Sequence, residues 1–117
     1  MNVNIEFKTL GPQKEIQKLI QELITKIERK TKAFSPYVPF LRLLVEKNFV
    51  RSLYHVSITL ELPEKKLAAK EERHDLKETI RDAFTEIERQ LDAHKRTLRG
   101  ERLWKPRAKR EEIRNRG

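Results

Sequence analysis

The feature that most constrains the fold of this chain is the stretch from Asp75 to Arg99. Its apolar residues recur at spacings of three and four, and at about 100° per residue they form one stripe along a helix. The stripe consists of Leu76, Ile80, Ala83, Phe84, Ile87, Leu91 and Leu98. The opposite side carries Arg89 and Arg96, with Arg81 and Arg99 on its flank. The stretch therefore predicts a helix that closes a core with one side and meets a partner with the other.

The charge of the chain changes along this helix. Residues 1–94 hold 17 Lys and Arg against 15 Asp and Glu, whereas residues 95–117 hold ten against three. Nearly all of the net charge of +9 therefore lies at the end of the helix and behind it. Such a charge indicates a polyanionic partner, first nucleic acid and second an anionic membrane surface.

The composition sets the class of protein. A chain of 117 residues can bury one modest core. It contains no Cys, which excludes disulfides and thiolate metal sites and fits a reducing compartment. Residues 1–10 lack the pattern of a secretory signal, and no apolar segment approaches the roughly 20 residues that span a bilayer. We therefore expect a cytoplasmic protein without a membrane segment.

Periodicity predicts the remaining elements. Strands are expected where apolar and polar residues alternate or where short apolar runs occur. An amphipathic helix is expected after the break at Gly11-Pro12, with Pro12 in its first turn. Phe34 and Tyr37, in the loop before the second strand, are expected to cap the edge of the core. The predicted strands span residues 2–8, 40–47, 53–62 and 66–72. The predicted first helix spans residues 12–32.

The order β-α-β-β-β-α determines the expected architecture. A helical crossover makes the first two strands parallel, and short turns make the others antiparallel. Each helix has one apolar stripe, so both should pack on the same face of the sheet. We predict an α+β fold with a four-stranded mixed sheet and two helices on one face. Residues 1–104 should form a single domain, followed by a basic, flexible tail of residues 105–117.

Basic residues are the main functional signal. Lys and Arg at helical-turn spacing on a rigid element can neutralise neighbouring RNA phosphates. Between residues 77 and 92 acids and bases interleave, so i,i+4 ion pairs on a solvated face are the alternative there. Between residues 95 and 110 carboxylates are scarce, and binding is favoured. The candidate RNA-binding residues are Lys26, Arg29, Lys30, Arg81, Arg89, Lys95, Arg96, Arg99, Arg102 and Lys105.

Catalytic and metal signatures are absent from the sequence. His55, His74 and His94 are too dispersed for a metal trio, and neither a Ser-His-Asp order nor a Gly-rich phosphate loop occurs. We therefore expect no enzyme activity, cofactor, metal or small-molecule substrate. His94 lies at the edge of the apolar stripe, where it either packs or contacts RNA. Trp104 either stacks on a base or folds back onto the core.

Several residues occur in an order that resembles the bacterial ribosome hibernation-promoting factors, also called ribosome-associated inhibitors. The resemblance covers residues 1–99 and includes a small-residue strand before the second helix and a basic run within it. It rests on Lys26-Ile27-Glu28, Ala69, Asp75, Ile80, Arg89-Gln90-Leu91 and His94-Lys95. Three positions depart from the family pattern: Lys77 stands where Tyr is usual, Arg81 where Asp is usual, and Ala93 where a basic residue is common.

The resemblance implies a function. A short-form member, without the extra C-terminal domain of long members, would bind the small ribosomal subunit and its rRNA, occupy the mRNA channel and tRNA positions, and silence idle ribosomes. It would be monomeric away from the ribosome. The alternative is a double-stranded-RNA-binding module, since helix, three strands and helix recur there. The basic helix start of such modules is not evident, because Asp75 and Glu78 begin the helix.

Overall fold

The computed structural model describes the backbone of residues 1–104 and the side chains of residues 1–100. The predicted element order is confirmed, and most bounds agree within one or two residues. The predicted flexible tail, residues 105–117, lies outside the described residues. The elements are β1 (Asn2–Lys8), α1 (Lys14–Thr31), a short 3₁₀ helix (Lys32–Phe34), β2 (Phe40–Asn48), β3 (Leu53–Leu62), β4 (Lys65–Arg73) and α2 (Leu76–Trp104).

The four strands form one mixed sheet in the order β1-β2-β3-β4. β1 and β2 are parallel, with Val3 opposite Leu41, because helix α1 carries the chain from one end of the sheet to the other. The β2–β3 and β3–β4 pairs are antiparallel and are joined by short turns. The predicted α+β architecture is therefore correct, including the strand directions.

The core lies between one face of this sheet and the two helices. Alternate residues of the central strands β2 and β3 are fully buried, and the apolar stripes of α1 and α2 belong to the same cluster, which places both helices on one face. The opposite sheet face exposes Arg42 and half-buries Ser57 and Thr59. The buried positions of α2 are Leu76, Thr79, Ile80, Ala83, Phe84, Ile87 and Leu91.

Helix α2 begins as predicted and extends past Arg99. The backbone N–H of Glu78 donates to Oδ1 of Asp75 at 3.1 Å, which is the contact of an N-cap with the third helical residue. The helix continues beyond the periodic stretch, through Gly100 to Trp104. A glycine that terminates a helix adopts a positive φ, and Gly100 does not.

Two expectations around α1 are corrected. Pro12 is not in the first turn, because Gln13 is extended (φ −118°, ψ 141°) and the helix begins only at Lys14. Phe34 packs against the core as expected. Tyr37, in contrast, is 40% exposed. The 3₁₀ helix ends at Phe34, and the extended backbone of Ser35 then leads the chain away from the core and into solvent.

Candidate nucleic-acid interface

Helix α2 meets α1 through ion pairs on one flank. Glu88 lies 3.4 Å from Nζ of Lys26, and Asp92 lies 3.0 Å from Nζ of Lys30. Sequence reasoning expected these carboxylates to balance basic residues of their own helix. Instead they pair with the neighbouring helix, because the apolar stripes bring the two helices side by side. Lys26 and Lys30 therefore help to hold the helices together.

Lys95 makes a third contact between the helices. Its Nζ donates to the backbone carbonyl of Lys30 at 2.9 Å. Lys30 lies in the last turn of α1, where carbonyls lack a partner within the helix and the helix dipole favours a positive charge. Lys95 thus gives the Lys30 carbonyl, in the last turn of α1, a hydrogen-bond donor. The structure brings Lys26, Lys30 and Lys95 together in the groove between the helices.

The other flank of α2 covers the free edge of the sheet. Nε2 of Gln90 donates to the carbonyl of Ala68 at 2.9 Å, and the Ala68 N–H points back to Oε1 of Gln90 at 3.4 Å. β4 is an edge strand, so this side chain supplies the partner that a further strand would have provided. Nearby, Asp82 accepts a hydrogen bond from Nε of Arg73 at 2.7 Å. Both contacts fix α2 against β4.

Arg89 points outward but is not free. Its side chain is 69% exposed, and its Nε and Nη2 donate to the Glu86 carboxylate at 3.0 and 2.5 Å. Hydrogen bonds from Arg89 and then Gln90 lower the pKa of the Glu86 carboxyl group from 4.5 to about 2. The same pairing raises the pKa of the Arg89 guanidinium. Consecutive residues 89, 90 and 91 therefore face solvent, the sheet edge and the core, respectively.

Replacing Arg89 with Ala is expected to raise the pKa of the Glu86 carboxyl group from about 2 toward 4.5, because its largest stabilising hydrogen bond is removed. Carbon-13 NMR titration of the side-chain carboxyl groups measures this change. Since the folded-state pKa is depressed, the pair stabilises the fold above pH 4.5, and this contribution falls away as the pH drops toward 2. Arg81→Ala is the control, and an unchanged Glu86 pKa in Arg89→Ala would contradict the assignment.

Among the α2 side chains up to residue 100, three other arginines are exposed: Arg81, Arg96 and Arg99. Within residues 1–100, no carboxylate is within ion-pair distance of any of them. Arg96 and Arg99 are neighbours on successive turns. Arg81 is separated from Arg99 by a rise of about 27 Å along the helix. The structure thus groups at one end of α2 two guanidinium groups that have no carboxylate partner within residues 1–100, and it leaves Arg81 apart.

We call the grouped residues the basic end. It comprises the last turn of α1 and the facing part of α2, which the Lys30–Asp92 and Lys95–Lys30 contacts hold adjacent. Arg29, exposed in that last turn, belongs to it. Arg102 lies in the helical backbone but its side chain is outside the described residues, and Lys105 is outside them altogether. The members of the basic end are Arg29, Lys30, Lys95, Arg96 and Arg99.

The histidines have separate local roles. His94 packs its ring on Phe34, with centroids 6.0 Å apart and planes 10° apart, so it is a packed histidine. His55 lies 3.6 Å from Glu72, and Nδ1 of His74 lies 2.9 Å from the Ser52 carbonyl oxygen. Within the described part of the chain, no three His, Cys, Asp or Glu side chains are placed to hold a metal ion.

One exposed feature was not anticipated. The residues between β2 and β3 were predicted as a turn, which is correct, but nothing in that prediction distinguished Phe49 and Val50. Both are apolar and largely exposed. Two large apolar residues between Asn48 and Arg51 in a short turn were the available signal.

As for the helices, none in the described residues is long and apolar enough to cross a membrane.

Comparison with known proteins identifies the family. The model of the family described as sigma 54 modulation protein / S30EA ribosomal protein matches residues 3–99. The chain belongs to this family. The match spans β1 to the basic end of α2, and it agrees with the resemblance found in the sequence. No curated protein sequence matches this S30EA family member.

Solved structures share the fold of this S30EA family member. The N-terminal domain of Protein Y from Thermus thermophilus superposes with a TM-score of 0.66 at 17% identity, covering 80% of this chain and 99% of that one. A ribosomal subunit interface protein from Coxiella burnetii superposes with a TM-score of 0.60 at 17% identity, covering 81% and 98%, respectively. At this identity the likeness establishes a common fold.

Proposed function

We propose that this protein binds the small ribosomal subunit in the cytoplasm and silences idle ribosomes by occupying the mRNA channel and the tRNA positions. The observation that carries the proposal is the family match over residues 3–99. The shared fold with the Coxiella burnetii protein, a ribosomal subunit interface protein, supports it. The basic end supplies the chemistry, because it offers a phosphate backbone exposed guanidinium groups that no described carboxylate engages.

The proposed mechanism is steric and electrostatic. Arg96 and Arg99 sit on a helix that the core and the contacts of Gln90 hold in place, so little ordering entropy is lost when they meet phosphates. Contacts to phosphate and ribose position a protein without reading sequence. The folded domain then acts as a plug that excludes mRNA and tRNA by its volume.

The lysines of the groove can join this interface at small cost. The Lys26–Glu88 pair is partly exposed, with 55% of the Lys26 side chain and 22% of the Glu88 side chain accessible. Exposed pairs of this kind are worth about 0–1 kcal/mol and are weakened by salt. A phosphate can therefore take over from Glu88 or Asp92 without a large penalty. We include Lys26 and Lys30 in the proposed surface for this reason, and Lys95 because its ammonium group lies beside Lys30.

Adding the protein to a cell-free translation system is expected to inhibit initiation, with bound mRNA or initiator tRNA competing against it. Occupancy is measured in the same reactions by pelleting ribosomal subunits, across a salt series. Because binding releases counterions from RNA, occupancy should fall steeply as salt rises. A protein that does not pellet with small subunits would overturn the proposal. Full occupancy with unaltered translation would refute the silencing function and leave a binding function alone.

A further inference from the structure

The turn between β2 and β3, residues 49–52, exposes an apolar pair. Phe49 is 64% exposed and Val50 is 95% exposed, the two highest values among large apolar side chains in the described residues. Both lie at the tip of a hairpin formed by two central strands of the sheet. Two adjacent, largely exposed apolar side chains on a structured turn form a small apolar patch, which makes the Phe49 ring a candidate contact for a partner.

Hydrogen bonds from side chains support the backbone of this turn. Oδ1 of Asn48 accepts hydrogen bonds from the N–H groups of Val50 and Arg51 at 3.0 and 3.2 Å. The His74 ring contacts the carbonyl of Ser52, whose φ is 55°. At the base of the turn, the Thr9 hydroxyl donates to the Lys47 carbonyl at 2.8 Å and accepts from the Lys47 N–H at 2.9 Å. The apolar pair is therefore presented on a fixed support.

The surroundings of Phe49 are positively charged. Lys47 places its Nζ 5.1 Å from the centroid of the Phe49 ring and 5.0 Å from that of Tyr54. Arg51 is exposed beside it, and residues 47–54 contain no Asp or Glu. The tip thus combines an exposed aromatic ring with two cations and no balancing acid within the turn.

We propose that this turn is a second RNA-binding site, in which Phe49 stacks on an unstacked base of ribosomal RNA while Lys47 and Arg51 meet the flanking phosphates. The inference rests on the proposed function. An unstacked nucleotide satisfies all three groups, because a base offers a flat π-face and its phosphates offer negative charge. A protein partner would have to bury both cations, and two apolar side chains are few for a protein–protein contact.

The turn is remote from the basic end. His74, whose ring contacts the Ser52 carbonyl of the turn, lies just before the first residue of α2. The helix rises about 35 Å from Leu76 to Arg99. The protein therefore carries RNA contacts at opposite ends of its longest element. Two contacts on one rigid body bind with an effective concentration advantage and set the orientation of the plug. The turn between β2 and β3 thereby fixes the orientation of the domain on the small ribosomal subunit.

Three substitutions at one position separate stacking from apolar burial. Phe49→Ala and Phe49→Leu are both expected to weaken binding to purified small subunits by about tenfold, because neither offers an aromatic plane. Phe49→Tyr is expected to bind as the wild type does. The readout is the dissociation constant from pelleting, with Val3→Ala as an exposed apolar control elsewhere. Both positions are exposed, so circular dichroism should show unchanged folding.

A photoreactive benzoyl-phenylalanine at position 49 identifies the partner. Crosslinks to a ribosomal RNA nucleotide support the proposal, whereas crosslinks only to a ribosomal protein, or equal binding by all three variants, overturn it. Retention of affinity by Phe49→Leu but not by Phe49→Ala would also overturn it, since an apolar pocket rather than a base would then be the ligand. If the wild-type protein itself does not pellet, the proposed function fails and this inference fails with it.

Discussion

Replacing Arg96 and Arg99 with Ala is expected to weaken binding to small ribosomal subunits by about a hundredfold. Each charge-assisted hydrogen bond is worth about 1.5 kcal/mol or more, and about 1.4 kcal/mol is a factor of ten in affinity. The slope of log affinity against log salt should fall by about two, one for each phosphate that is no longer neutralised. Pelleting assays at several salt concentrations measure both quantities.

The matched control removes the same charge elsewhere. Lys14 and Lys18 are exposed near the start of α1, away from the basic end. The double change Lys14→Ala with Lys18→Ala should weaken binding only modestly, through the long-range attraction of the whole protein. Equal reductions of affinity in the two double variants would show that net charge, and not the basic end, determines affinity. Neither double change touches the core.

The second large effect concerns the fold itself. Phe84→Ala is expected to destabilise the protein by about 3–5 kcal/mol, because it removes a ring that is 1% exposed and leaves a cavity beneath α2. A domain of this size has about 5–15 kcal/mol of stability in total. Urea unfolding followed by circular dichroism measures the change as a shift of the midpoint.

Thr85→Ala is the neighbouring control for this measurement. Thr85 is exposed on the same turn of α2, and Ala has the higher helix propensity. The free energy of unfolding should therefore stay within about 0.5 kcal/mol of the wild-type value or rise slightly. A destabilisation by Phe84→Ala no larger than that by Thr85→Ala would show that the stripe of α2 does not close the core.

Local pattern was sufficient for the elements and for the core. The alternation of apolar and polar residues is enough to identify the inward positions of β3, including Val56, Ile58 and Leu60, because successive side chains of a strand face opposite sides. The helical stripe predicted the buried face of α2 for a similar reason. The N-cap Asp75 was also predictable, since its contact spans only three residues. In each case the deciding interaction depends on residues close in sequence.

Family resemblance located the chain among S30EA proteins, but it did not explain the motif residues. Sequence order alone showed that Arg89, Gln90 and Leu91 occur together. Only the structure shows that Gln90 forms hydrogen bonds with the backbone of Ala68 and that Leu91 is buried in the core. The reason is that the edge of β4 comes beside α2 only after the hairpin and the helix have packed.

The partners of the charged residues were decided by tertiary structure alone. The sequence places Glu88 and Asp92 among bases of their own helix, whereas the fold pairs them with Lys26 and Lys30, 62 residues away in each case. Helical periodicity sets the direction in which a side chain points, but packing sets which residue it meets. The sequence by itself therefore determined that α2 has a basic outer side. The packing of α1 against α2 engaged the neighbouring carboxylates, and it thereby left Arg96 and Arg99 unpaired among the described residues at the basic end.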